Sequence, residues 1–549
     1  MNQKKNILNG KVFWITLLGL VILKYGYYGF KYYPVIDDWI QYGGYSLYDH
    51  IFRDVILRIG TYTTRPIASL SDPYLWGQLW DNMWVAFLII TLLHFISAWL
   101  LYKVFEYNRL PIGMVFLAIF LLLPLGTEAT YWISASSRIV VGIFFMALSL
   151  YFLSIYMHSN SGVWGARSGE LRNKKLLLTG FALTHLISFG YYEQVIILSF
   201  ASTVLLIAAN WMSLKRKWIA VIPFINLGII GAYYKMFGGT GNVAQRGNMI
   251  DGNFSEHFSR VMDKISDVWG RSHLPLYPNG FNRGISLLFN NHSYFYLFLI
   301  ILLSISAGVL ASQEKSYKDI KLNGIKIFLG FALFCAPFAI YFLLNDIWIS
   351  NRNAFTSFIG LGLLAEGITH IVNRNKITNM IKGIVICYAV FIFMIVNISE
   401  LTDYKNVSQI DRQISSNVVS AIDDNEFFEG RKKVVVFGTL PKYIEQNSYF
   451  HEHIHNVTES DWAFTGGIRA VARNAKIQYV RPVHKWSAAT LDDTMWGSDI
   501  ILGIDNERNV FHLKHREGNN GDILLSKMNG EYFGELQKQD DERYVLEVP

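Results

Sequence analysis

Two adjacent carboxylates, Asp37 and Asp38, stand in the run Tyr33-Pro34-Val35-Ile36-Asp37-Asp38-Trp39, just beyond the first long apolar stretch of the chain. A carboxylate held against apolar walls beside a partner charge keeps its proton more tightly and can serve as a general base. An Asp here also suits the N-cap of a helix beginning at Trp39, so from the residues alone both readings stand. Roughly 27 residues further on comes Thr63-Thr64-Arg65-Pro66. Arginine suits phosphate because its planar fork makes two parallel hydrogen bonds; Arg65 is equally able to pair with an acid nearby. Glu128, Arg138, Tyr192, Glu193 and Arg352 follow, each where an apolar block meets the same side of a membrane. Taken singly, Glu128, Arg138, Glu193 and Arg352 each read as an interfacial charge. Together, acids and arginines from five segments lie at one depth, and ionisable residues at span ends mark a substrate path when they face inward.

What must position these residues is a membrane bundle. The chain of 549 residues is 52% hydrophobic and only 17% charged, where soluble proteins carry about 25% charged residues. Its aliphatic and aromatic content excludes intrinsic disorder. The apolar surplus falls in blocks of about 18 to 22 residues, long enough to cross a bilayer core. About eleven such spans are expected, at roughly 12–30, 81–102, 110–126, 137–157, 176–190, 194–212, 218–236, 293–312, 325–345, 354–372 and 380–398. Lys and Arg concentrate in the loops that face the N-terminal side of the first span. The positive-inside rule then places the N-terminus in the cytoplasm and residues 400–549 outside it. The net charge of +7 is therefore a topology signal rather than a nucleic-acid footprint. Cys335 and Cys387 both sit in apolar blocks, so no disulfide framework is expected.

The expected organisation is an all-α polytopic bundle over 1–399 and a small extracytoplasmic α/β domain over 400–549. Two long outer loops, 31–80 and 237–292, carry amphipathic stretches at Tyr42–Ile59 and Phe254–Val268 that suit the membrane surface. In the tail, Val407–Ala421 reads as a helix, Lys433–Leu440 and Ile500–Gly503 as strands, and the segment around Asn529-Gly530 as a hairpin. His451, His453 and His455 alternate as on a strand, but their spacing is no standard zinc motif and they read as a solvated face. His94, His185, Lys235 and Glu366 lie in or near spans and are not expected to act as ligands. Tyr25, Tyr27, Tyr28, Tyr32 and Tyr33 read as an interfacial aromatic belt.

Asp37-Asp38-Trp39 after the first span, followed by Arg65-Pro66, resembles the pattern of GT-C class glycosyltransferases that use polyprenyl-phosphate sugars, and most closely the O-antigen glucosyltransferase branch. That branch commonly shows Asp-Asp followed by Gly-Arg-Pro; this chain has Thr64 in place of the Gly. Tyr192-Glu193-Gln194 and the basic loops are also similar to that group, over about positions 1–400. The resemblance implies a membrane glycosyltransferase with a lipid-linked sugar as donor and a cell-envelope glycan or glycopolymer as acceptor. It implies Asp37 or Asp38 as the base, and Arg65, Arg138 or Arg352 at the donor phosphate. Trp39, Glu128, Tyr192 and Glu193 are then expected near the substrate. No cofactor is required, because arginines can balance the leaving charge; a divalent metal is compatible with the pattern. The alternative is a transporter or flippase for a lipid-linked or anionic envelope precursor, although no paired halves appear in the sequence.

Overall fold

A computed structural model describes residues 2–44, 47, 64–158, 174–212, 214, 216–237, 253–314, 320–345, 347–372, 375–422, 432–444, 452–474, 477–490, 498–518, 521–539 and 543–548. A helix occupies each of the eleven apolar blocks: α1 (Asn2–Gly26), α2 (Met83–Tyr107), α3 (Met114–Leu122), α4 (Ile133–His158), α5 (Lys174–Phe189), α6 (Glu193–Ala209), α7 (Ile222–Phe237), then α10 (Tyr294–Gln313), α11 (Ile320–Cys335), α12 (Phe358–Val372) and α13 (Lys376–Ala421). Between α7 and α10 lie α8 (Phe254–Ser266) and α9 (His273–Asn290). Seven helical runs among the described residues are long and apolar enough to cross a membrane: Pro66–Tyr107, Ile133–His158, Lys217–Phe237, Tyr294–Gln313, Ile320–Phe342, Asn351–Val372 and Lys376–Ala421. The expected eleven are not reached on that measure.

α3 shows one reason. It has nine residues, about 14 Å at the α-helical rise, because Pro111 precedes it and Pro124 forces Leu123 into an extended conformation. α3 is therefore a buried half-helix inside the bundle, and its N-terminal amides need partners there. Two carboxylates supply them. Glu314 accepts from the Met114 N–H, and Glu366 accepts from the Phe116 N–H at 3.1 Å. Lys382 pairs with Glu314, His370 bonds Glu366 at 2.8 Å, and Lys326 donates to the Pro111 carbonyl. These charges lie at the end of the bundle away from Asp37, and they complement the positive end of the α3 dipole.

α13 is the longest element. Its 46 residues run for about 69 Å, capped at the start by a reciprocal Asn375–Thr378 box. The helix passes without a break through position 400, where the apolar composition stops. Its last turns bury Ile414 and Val418 in the core of the C-terminal domain. That domain is an eight-stranded sheet, β1 (Lys432–Thr439), β2 (Ile477–His484), β3 (Ala488–Thr490), β4 (Ile500–Ile504), β5 (Val510–Glu517), β6 (Ile523–Lys527), β7 (Tyr532–Lys538) and β8 (Arg543–Glu547), in the order β2-β1-β4-β5-β6-β7-β8-β3. β1 pairs in parallel with β2 and β4; the remaining ladders are antiparallel. Residues of β1 alternate between two cores. Val434 and Val436 pack on α13 and α14 (Asp461–Ala472), and Val435 and Phe437 pack on Leu525, Phe533 and Leu546.

The domain is fastened to the bundle. Gly466 of α14 meets the Ile40 backbone so closely that a Cβ there would lie 2.5 Å from it. α8 exposes Phe254, Phe258 and Met262 at one-turn spacing and buries His257 and Val261, which fits the amphipathic stretch read from the sequence. Most of the Tyr42–Ile59 stretch lies outside the described residues; its start is a π-helical turn, Trp39–Gly44.

Candidate functional site

The turn after α1 divides the acidic pair. Ile36 stands at φ +36°, a left-handed conformation that a β-branched residue adopts only when its surroundings compel it. Asp38 supplies the compulsion. Its Oδ2 accepts from the Val35 N–H at 3.1 Å and from the Tyr32 hydroxyl; its Oδ1 accepts from the Ser134 N–H at 2.9 Å. Tyr32 in turn accepts from the Ile133 N–H at 2.8 Å. Asp38 is fully buried, and burial outweighs these hydrogen bonds to push its carboxyl up to about 8. Asp37 is half-buried on the other side of the turn and accepts from the Ser134 hydroxyl at 3.2 Å. The next residue, Trp39, is buried: its indole N–H donates to Asp411 of α13 at 3.3 Å, and the ring packs edge-on to Trp80. Trp39 thus belongs to the joint between bundle and C-terminal domain, where its ring is buried.

Arg65 and Glu193 meet because the chain before each is pinned. The short helix Pro66–Ser71 begins on the Gly190 carbonyl, which accepts the Ile67 and Ala68 N–H groups at 3.0 and 3.2 Å. A Cβ on Gly190 would lie 2.4 Å from Ile67, so only glycine permits the approach. Three residues on, Glu193 receives Arg65 in a forked pair: Nε at 2.9 and 3.1 Å, Nη2 at 3.0 Å. The guanidinium lies 4.5 Å over the Tyr192 ring, whose hydroxyl accepts from Asn353 Nδ2 at 2.9 Å. Arg65, expected at a phosphate, is held by Glu193.

Arg138, on the first turns of α4, is buried and pairs through Nη2 with Asp72 at 2.6 Å. Arg352 lies in the short helix Asn351–Ala354, 5.0 Å over the Trp132 ring, with Nη2 3.2 Å from Glu452 of the C-terminal domain. Both arginines keep a buried Nε–H with no partner among the described residues. Both also feel the charge of Asp37, as does Glu452. Tyr341 connects the clusters, since it interacts electrostatically with Arg65, Glu193, Tyr192 and Arg352.

Glu128 is a buried fastening. One oxygen accepts the Arg352 N–H at 3.2 Å; the other accepts the Glu452 N–H at 2.7 Å and stands 3.1 Å from His453 Nδ1. His453 is buried and stacks on Tyr404 at 4.2 Å. Burial pushes its imidazole down to about 3, so it is neutral at physiological pH. This corrects the reading of the His451–His455 run as a solvated face. Residues Glu452–Ile454 form a 3-10 turn that points His453 inward, and His451 lies outside the described residues. Among the described residues no group of three His, Cys, Asp or Glu side chains is arranged to hold a metal.

Between α2, α4, α6, α11 and α12 lies a small apolar cavity of about 40 Å³, lined by Leu101, Phe105, Leu110, Leu150, Leu205 and Leu333 among others, toward the α3-start end of the bundle and away from Asp37. Sequence reasoning missed Asp72, Glu452 and His453. No family model matches this chain, and no curated protein matches it.

Proposed function

We propose that this chain is an integral membrane glycosyltransferase that moves a sugar from a polyprenyl-phosphate donor to a cell-envelope acceptor at the outer face. Asp37 takes the proton of the acceptor hydroxyl as its oxygen bonds the anomeric carbon. The bond from that carbon to the phosphate oxygen breaks, and the prenyl phosphate leaves with the electron pair. Arg138 and Arg352 stabilise that developing charge. The observation that carries the reading is one juxtaposition. Asp37 is the open member of an otherwise buried acidic pair, and both arginines within its field retain a donor with no partner among the described residues. A buried N–H without an acceptor is costly, and an anionic ligand repays it. The sequence resemblance points the same way. Asp38 holds the turn and is not assigned the chemistry.

The test is transfer from short-chain prenyl-phosphate sugars to envelope glycan in a reconstituted bilayer. Loss of a general base costs about 10²–10⁴ in rate, so Asp37→Asn should fall by that factor with donor binding retained. Normal transfer by Asp37→Asn would remove the assignment and bring the transporter reading forward.

A further inference from the structure

Arg352 is shared between the two parts of the chain. Glu128 clamps the backbones on both sides of it: one oxygen holds the Arg352 N–H, and the other holds the Glu452 N–H. That clamp brings the Glu452 carboxylate to the Arg352 guanidinium. The Glu452 side chain has another partner, the exposed Trp348, whose indole N–H donates to Oε1 at 2.9 Å. Three acids, Asp37, Glu128 and Glu452, therefore act on one arginine. A phosphate added to this group meets strong repulsion unless one acid withdraws or takes a proton. Glu128 is committed to backbone amides, whereas Glu452 touches Arg352 through the same kind of contact a phosphate oxygen makes.

We infer that the C-terminal domain completes the phosphate seat: the Glu452 carboxylate holds the anion position on Arg352, and the phosphate of the donor exchanges with it. The inference rests on the glycosyl-transfer reading for the identity of the donor, but the exchange itself concerns any prenyl phosphate. Burial pushes the Glu452 carboxyl above the ordinary range, so its release from Arg352 by protonation is within reach. The charged groups facing it are Arg352, Glu128 and Asp37, and the adjoining His453 stays neutral.

The experiment is binding of farnesyl phosphate to the full chain in detergent, by calorimetry at pH 6 and pH 8. Glu452→Gln keeps the backbone clamp and an acceptor for Trp348 while removing the competing charge. It should bind about tenfold more tightly than wild type at pH 8, a factor that corresponds to about 1.4 kcal/mol. The gap should narrow as the pH is lowered, because protonating Glu452 in the wild type removes the same charge that Gln removes in the variant. Trp348→Phe loosens Glu452 from its other side and should shift affinity the same way by less, which keeps the inference testable should Glu452→Gln fail to fold. Arg352→Gln should lose at least about tenfold. Unchanged or weaker binding by Glu452→Gln, alongside loss in Arg352→Gln, overturns the exchange and leaves the seat intact. Wild-type binding by Arg352→Gln overturns the seat and with it the phosphate assignment.

Discussion

Two clusters of buried charge among the described residues, one around the start of α3 and one around Asp37, are built on opposite principles. Around the start of α3, all four oxygens of Glu314 and Glu366 are engaged, by Met114, Phe116, Lys382 and His370. Each charge there answers a backbone or side-chain need of the fold. At the Asp37 end, Arg138 and Arg352 keep a donor unpaired among the described residues, and Asp37 is left partly open beside them. The strained Ile36 lies at this end too. A closed cluster can be explained by the architecture that it completes. An open one leaves donors for a water or a ligand to satisfy.

Perturbing each end should break this contrast in a characteristic way. A large stability loss is expected from Arg138→Met, which strands Asp72 as a buried charge. Removing one partner of such a pair costs about 3–5 kcal/mol, visible as a fall in melting temperature and in folded yield. Asp38→Ala removes the acceptor of Val35, Ser134 and Tyr32. Each buried group left unsatisfied costs about 1–3 kcal/mol, so this variant should melt early, whereas Asp37→Asn should melt near wild type. Glu366→Gln should cost about 1–3 kcal/mol, with transfer per folded molecule unchanged. Loss of transfer without loss of stability there would make the far end a second site.

A pH series sharpens the same contrast. The Asp38 carboxyl is raised to about 8 from an unfolded value of about 3.9. Between these values the folded chain binds the extra proton, so stability falls as pH rises through that window. Wild-type melting temperature should drop from pH 5 to pH 8, and Asp38→Asn should flatten the curve. A smaller but separate check concerns sidedness. A thiol introduced by Ser420→Cys, on an exposed position of α13, should label in intact cells. Labelling only after lysis would place the Asp37 end in the cytoplasm.

Much of the bundle was legible because hydropathy reports directly on the solvent around a helix. The same signal misread its lengths. α3 is cut short by Pro111 and Pro124, and α13 continues past position 400 because tertiary packing, not apolar composition, sustains it. The acidic pair stood out as two carboxylates at a span end, yet its division of labour depends on a left-handed Ile36 that no periodicity announces. Asp72, in Ser71-Asp72-Pro73, reads as an ordinary turn until the π-helical Asp72–Trp76 segment aims it at Arg138. Glu452 and His453 were hidden by alternation that suggests a strand, where the chain makes a 3-10 turn pinned by Glu128, more than 300 residues away in sequence. Partners that distant leave no local pattern to read.

The proposed anion seat is formed by the open arginines beside Asp37. Its most direct test is an experimental structure of the full chain with farnesyl phosphate. The account predicts phosphate oxygens within about 3 Å of Nε of Arg352 or Arg138, with the prenyl chain in contact with the bundle. Phosphate found instead at Lys326 and Lys382, with Arg138 and Arg352 untouched, would contradict it.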